Sequence, residues 1–268
     1  MRKLLAAALL AVTAGPSLAP SASAQSQTLA GYGIVLMHGK GGQPGGNIAS
    51  LAAAIKSEGA VVLTPRMAWA GSQGRPDKYE ITYGQALTRI SPVIEQLKAQ
   101  GATKIVVAGQ SLGANAAIGY AARHGAGLAG IVALAPGHTP ERTAFRKRFA
   151  DEVARAEQLV ASGRGGTLAS FLDLNQGNLL QVQATPAAYL SFFAPNGPAV
   201  IPRNAAAMPT LPFLWVIGRR DRLAEAGRGY AFDLAPRHPK SRYLEINAGH
   251  FDTPTVSRPE VIAWLKTL

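Results

Sequence analysis

Between an apolar run, Lys104-Ile105-Val106-Val107-Ala108, and an alanine-rich stretch, Ser111 to Arg123, stands Gly109-Gln110-Ser111-Leu112-Gly113. No other feature constrains the chain as much. A short apolar run that ends at glycine reads as a buried strand, and the alanine-rich stretch, closed by Gly125, reads as a helix. Little chain is left for the reversal, so Ser111 sits on a sharp turn with its hydroxyl raised from the sheet edge. Side chains on either side would clash there, which is why glycine stands at both flanks. The helix that follows aims its free amides and the positive end of its dipole at the same point. An ordinary glycine–serine turn is the competing reading. The strand before and the helix after favour a raised, reactive hydroxyl.

The rest of the chain supports a layered α/β architecture. Gly33–Met37 and Ala60–Leu63 read as strands with a helix, Asn47–Ser57, between them. Ile81–Gln100 is amphipathic, with Pro92 expected to bend or break it. Leu128–Leu134 reads as another strand. Strand and helix in alternation imply a parallel sheet covered on both faces. The alternation then stops. Residues 140–162 read as a charged helix and 167–174 as a shorter one, and Pro186–Pro212 is rich in proline. No strand is evident, so this part reads as an insertion over the sheet edge. Strands resume at Pro212–Ile217 and Arg242–Ile246, and a helix at Pro259–Leu268 closes the chain, with Pro259 and Glu260 suited to its start.

The N-terminus reads separately. Arg2 and Lys3, the apolar Leu4–Val12 and the ending Ala22-Ser23-Ala24 have the pattern of a secretory signal peptide cleaved after Ala24. The expectation is an exported protein, periplasmic or secreted, with one domain over residues 25–268. Its 268 residues are 47% hydrophobic and 16% charged, a globular balance, and it has no cysteine. It therefore has neither disulfides nor a thiol nucleophile. The formal charge is +12, with a dense patch at Arg142, Arg146, Lys147 and Arg148 followed by Asp151 and Glu152. That patch reads as an exposed helix face that could attract anionic envelope surfaces weakly. Export argues against nucleic acid as a partner.

A serine hydroxyl is a weak nucleophile without a base. Of five histidines, His250 is the best placed, in Asn247-Ala248-Gly249-His250-Phe251 directly after the last strand. His124 ends a helix, and His138 and His238 lie beside prolines. A carboxylate must orient the histidine. Asp221 follows the strand ending at Ile217, with Glu225, Asp233 and Asp173 as rivals, whereas Asp252 is too close to His250 to reach back easily. No His-Glu-x-x-His spacing exists, so no metal is expected. Gly125-Ala126-Gly127-Leu128-Ala129-Gly130 fits a dinucleotide fingerprint, but it precedes a strand instead of following one.

In order, His38-Gly39-Lys40-Gly41-Gly42, Gly109-Gln110-Ser111-Leu112-Gly113, Asp221 and His250 resemble the landmarks of the α/β-hydrolase superfamily, in its serine esterase and lipase-like form, over residues 30–268. The resemblance implies a three-layer sandwich with a mostly parallel sheet of about six strands. It also implies a helical or loop cap, the insertion at about residues 136–211. It assigns Ser111 as nucleophile, His250 as base and Asp221 as the orienting acid. The oxyanion amides would belong to Leu112 and to Lys40, or to Gly39 if the register differs. His38 would tie its loop to its neighbours. Lys40 precedes Gly41, not serine or threonine, which argues against a phosphate loop. Tyr189, Phe192, Phe193, Met67 and Trp69 could line the pocket or simply pack beneath the cap. The implied activity is hydrolysis of small or polymeric carboxylic esters through an acyl-enzyme, without a cofactor. A peptidase or amidase on the same fold, or a non-catalytic binding protein, remains open. The sequence does not set the oligomeric state.

Overall fold

The computed structural model describes residues 28–268; the expected signal segment, 1–24, lies outside them. In chain order the first half contains β1 (Tyr32–Met37), α1 (Ala49–Ser57), β2 (Val61–Leu63), β3 (Gly71–Ser72), β4 (Arg75–Pro76), β5 (Lys78–Tyr79), α2 (Tyr83–Thr88), α3 (Ile90–Ala99), β6 (Lys104–Gln110) and α4 (Leu112–His124). The second half contains β7 (Gly130–Leu134), α5 (Thr143–Ala161), β8 (Ala169–Asn175), β9 (Asn178–Ala184), α6 (Pro186–Phe193), α7 (Ile201–Ala206), β10 (Phe213–Gly218), β11 (Arg242–Ile246), α8 (Thr253–Val256) and α9 (Arg258–Leu265). Six of the strands form one parallel sheet in the order β11-β10-β7-β6-β1-β2. The expected three-layer architecture and six-stranded sheet are both present.

The strands are apolar throughout because both faces are covered. Alternate residues serve opposite layers, as the two-residue period of a strand requires. Ile34, Leu36, Val106, Ala108, Val132, Leu134, Leu214 and Val216 meet Leu51 and Ile55 of α1 and Val261, Trp264 and Leu265 of α9. Val35, Met37, Ile105 and Val107 meet α3 through Ile90, Ile94 and Leu97, and α4 through Leu112 and Ala116. Ile131, Ala133, Phe213, Trp215 and Ile217 pack on Ala114, Ile118 and Ala121 of α4 and on α7. Alanine along α4 lets that helix lie close to the sheet.

The amphipathic stretch around Pro92 is two helices. It breaks at Arg89, where α2 ends and α3 begins. Proline has no amide to donate and its ring crowds the carbonyl four residues back, that of Thr88, so one continuous helix is disfavoured. Thr82 opens α2 with a capping box shared with Gln85.

The insertion corrects the sequence reading. Residues 169–175 are a strand, not part of a short helix, and pair antiparallel with β9. β5 joins β9 in parallel to complete a three-stranded sheet. The cap is therefore a β-hairpin between helices, not helix and loop alone. Leu168, Phe171 and Leu172 stand at helical spacing, which hid the true alternation. Phe171 and Asp173 are the inward residues of β8, and a buried aspartate does not look like a core position. The turn signal was present: Gln176 and Gly177 have φ of 48° and 91°, as a two-residue hairpin turn of the primed type needs.

Candidate active site

The sheet order reverses beside β1. The chain runs from β1 outward to β2, then crosses to β6 on the other side. Loops leaving the carboxyl ends of β1 and β6 diverge there and leave a crevice, the usual ligand position in an open parallel sheet. The β1 loop is His38–Gly42, and the β6 turn carries Ser111.

Ser111 has φ 57° and ψ −120°, a conformation L-residues seldom adopt. The packing around it enforces the strain. A Cβ at Gly109 would lie 2.2 Å from the backbone of Gly113, and one at Gly113 would lie 2.5 Å from the Met37 carbonyl oxygen. The two flanking glycines thus let α4 start directly against β1 and β6. Leu112 is the first residue of α4, so its amide has no carbonyl of its own helix to bond.

The structure brings Ser111, His250 and Asp221 together. His250 Nε2 lies 2.9 Å from Ser111 Oγ, and its Nδ1 lies 2.6 Å from Asp221 Oδ2. An ionised carboxylate only accepts, so Nδ1–H donates to Asp221 and Nε2 accepts from the serine hydroxyl. Asp221 Oδ1 accepts the Leu223 amide at 2.9 Å, which fixes the carboxylate plane. All three side chains are buried. The rival acids lie elsewhere. Asp233 pairs with Arg228, Asp252 accepts the Gly249 amide, and Asp173 binds Lys40.

Loops on both sides hold this row. His38 Nε2 accepts the Met67 amide at 3.1 Å, so its Nδ1–H donates to the Gly39 carbonyl at 2.8 Å. Burial pushes His38 below the ordinary imidazole value and keeps it neutral. The Trp69 indole donates to the His38 carbonyl, and Gly41 and Gly42 donate their amides to Trp69 and Gly39. No acceptor for the amides of Gly39 and Lys40 is found among the described residues. Gly39 runs against Ser111, since a Cβ there would come within 2.9 Å of Ser111 Cβ. The side chain of Lys40 turns into the cap, where Nζ donates to Asp173 Oδ1 at 2.5 Å and to the Leu174 carbonyl at 3.2 Å.

Three supporting residues carried no sequence signal. Asn115, fully buried on α4, donates to the carbonyls of His138 and Ala199 and accepts from the Tyr83 hydroxyl. Gln110 donates to the His250 carbonyl at 3.2 Å. His138, in the loop after β7, has φ 63° and donates through Nε2 to the Phe192 carbonyl at 2.7 Å. Burial, and then the Lys40 charge, push His138 well below the ordinary imidazole value. Tyr189, Phe192, Phe193, Met67 and Trp69 are core under the cap and line neither cleft at Ser111.

Two clefts meet at Ser111. One, of about 380 Å³, runs under α5 and the β8–β9 turn past Pro136, Phe145 and Leu223. The other, of about 630 Å³, is walled by the glycine-rich β1 loop, residues 71–74 and Phe251. A carbonyl seated between them would face the serine hydroxyl, with the start of α4 and the β1 loop beside its oxygen.

A model of the alpha/beta hydrolase family matches residues 34–263. No curated protein matches the chain in sequence. Several solved structures are similar in fold. A monoacylglycerol lipase from Paleococcus ferrophilus superposes with a TM-score of 0.62 at 21% identity, covering 88% of this chain and 94% of that one. Est1E from Butyrivibrio proteoclasticus, with ferulic acid bound, gives 0.60 at 17% identity, covering 90% of each chain. A thermophilic esterase from Thermogutta terrifontis gives 0.56 at 18% identity, covering 90% and 91%.

Proposed function

The chain belongs to the alpha/beta hydrolase family, and from that premise we propose that it is a serine hydrolase of carboxylic esters. One observation carries the reading: the strained Ser111 is joined through His250 to Asp221 by hydrogen bonds of 2.9 and 2.6 Å. In this reading Ser111 Oγ attacks the ester carbonyl as its proton passes to His250 Nε2. The amides of Leu112 and Lys40 receive the oxyanion, with Gly39 as the alternative donor in the loop. Collapse expels the alcohol, which takes the proton from His250. Water, deprotonated by the same imidazole, then attacks the acyl-serine and frees the acid. Asp221 holds the ring in the required tautomer throughout. The esterase and lipase folds among the similar structures agree with ester substrates. We also propose that the enzyme works after export, on the strength of the pattern in residues 1–24, and that its basic surface draws it weakly to anionic envelope material.

The test uses a series of p-nitrophenyl esters of rising acyl length beside matched anilides, with wild-type protein and Ser111→Ala. Ester turnover that disappears in the variant is the expected result. Turnover of the anilides in preference would move the assignment to amide bonds.

A further inference from the structure

The smaller cleft has an uneven charge distribution. Arg142, Arg148 and Arg222 line it, on α5 and its N-terminal flank and on the loop after β10. None of them forms an ion pair among the described residues. The one acid in the lining is Asp221, whose carboxylate is already bound by His250. Of the acids close to these arginines in sequence, Glu141 accepts from the Tyr230 hydroxyl, Glu152 pairs with Arg155, and Asp151 neither lines the cleft nor forms an ion pair among the described residues. Arg142 lies over the Tyr230 ring, which steadies its side chain; its charge is felt by the neighbouring Glu141, but the two form no ion pair among the described residues. Lys40 also reaches this cleft, but its charge is matched by Asp173. The larger cleft has no such feature. Its lining carries no acid, and Lys40 is the one lysine or arginine in it.

From this distribution we propose that the substrate is an ester whose group in the smaller cleft carries an anionic oxygen group, in the simplest case a carboxylate, held by Arg142, Arg148 and Arg222. The inference rests on the esterase reading and names the substrate class of the same site. Three guanidinium groups that line one cleft and form no ion pair among the described residues favour a ligand that brings them negative charge. Guanidinium is the cation that matches a carboxylate in shape and donor pattern. A cleft lined by one sign of charge also concentrates ligands of the opposite sign. Pro136, Phe145 and Leu223 line the same cleft, so the proposed ligand also offers it some apolar surface. A cleft of about 380 Å³ suits a small molecule.

The experiment compares kcat/KM within two pairs of nearly isosteric esters. In the first pair the acyl part differs, p-nitrophenyl valerate against p-nitrophenyl hydrogen glutarate. In the second the alcohol part differs, 4-acetoxybenzamide against 4-acetoxybenzoate. The anionic member of one pair is expected to be favoured by about tenfold or more, and that preference to shrink as salt is raised. The pair that responds identifies which half of the ester occupies the cleft. In the variant R142Q/R148Q/R222Q the ratio of anionic to neutral kcat/KM is expected to fall towards one. Neutral esters turned over as well as or better than both anionic ones would overturn the inference and leave the esterase reading standing. So would a preference that survives in the triple variant. Absence of turnover for all four esters would instead remove the esterase reading, and the inference with it.

Discussion

Lys40, in the loop that flanks Ser111, is held by Asp173 of the cap hairpin through a contact of 2.5 Å in which neither side chain meets solvent appreciably. The Tyr79 hydroxyl donates to the other carboxylate oxygen, and the Leu174 amide to the first. The insertion is thereby fastened to the β1 loop that runs beside Ser111. Removing one partner of a buried pair leaves an unmatched charge in a region that water cannot reach. Asp173→Ala is therefore expected to cost about 3–5 kcal/mol in denaturant unfolding. A double replacement, Lys40→Met with Asp173→Leu, is expected to recover most of that loss. A single variant as stable as wild type would show that the pair holds nothing.

Asn115 fastens the other side of the site. Its amide group binds the carbonyls of His138 and Ala199, and its oxygen accepts from Tyr83. Asn115→Leu leaves the His138 and Ala199 carbonyls without that donor in the core, while the Tyr83 hydroxyl keeps the Asn115 main-chain carbonyl, and a loss of about 2 kcal/mol is expected. Because the His138 loop borders Ser111, kcat on any ester should fall too. Unchanged melting and unchanged kcat would contradict this.

Gly137 offers a separation of stability from activity. A Cβ there would sit 2.9 Å from Ser111 Oγ and 3.4 Å from His250 Cε1, with no other side chain in its way. Gly137→Ala is expected to fold and to lose most of its kcat/KM by displacing the serine hydroxyl. Gly113→Ala, which presses on the backbone of β1 and its loop, is expected instead to compromise folding. The two are told apart by circular dichroism beside the ester assay.

Stability should decline with acid for an identifiable reason. Burial holds His38 and His138 below the ordinary imidazole value of 6.5. In the unfolded chain both take up protons as the pH falls below that value, while the native state resists doing so. Their contribution is thus fully present above the unfolded value and is lost as the pH falls through the folded ones. Denaturant unfolding between neutral and mildly acidic pH should show the decline, and His138→Asn should flatten it. An equal slope in wild type and variant would assign the effect to other groups.

What the sequence revealed and what it concealed follow from the range of the interactions. Ser111, Asp221 and His250 were legible because each stands just beyond an apolar strand of one parallel sheet, and such strands present their ends to a common crevice. The glycines at 109 and 113 were legible because their requirement is steric and local. Asp173 was not, because its reason for being buried is a lysine 133 positions away. An inward aspartate also disrupted the alternation of β8 and made a strand resemble a helix. His138 looked like a loop residue beside a proline, and only tertiary packing turns its ring toward Phe192. Arg142 and Arg148 read as part of an exposed helix face, and only the fold shows them lining a cleft at Ser111 with Arg222, from the loop after β10.

The most direct test of the account is active-site labelling. Purified protein is treated with a fluorophosphonate, and the adduct is located by peptide mass spectrometry, with Ser111→Ala in parallel. The account predicts stoichiometric modification of Ser111 in the wild type, strong suppression in His250→Ala and none in Ser111→Ala. Folded wild-type protein that fails to label, or that labels equally well without Ser111, would contradict it.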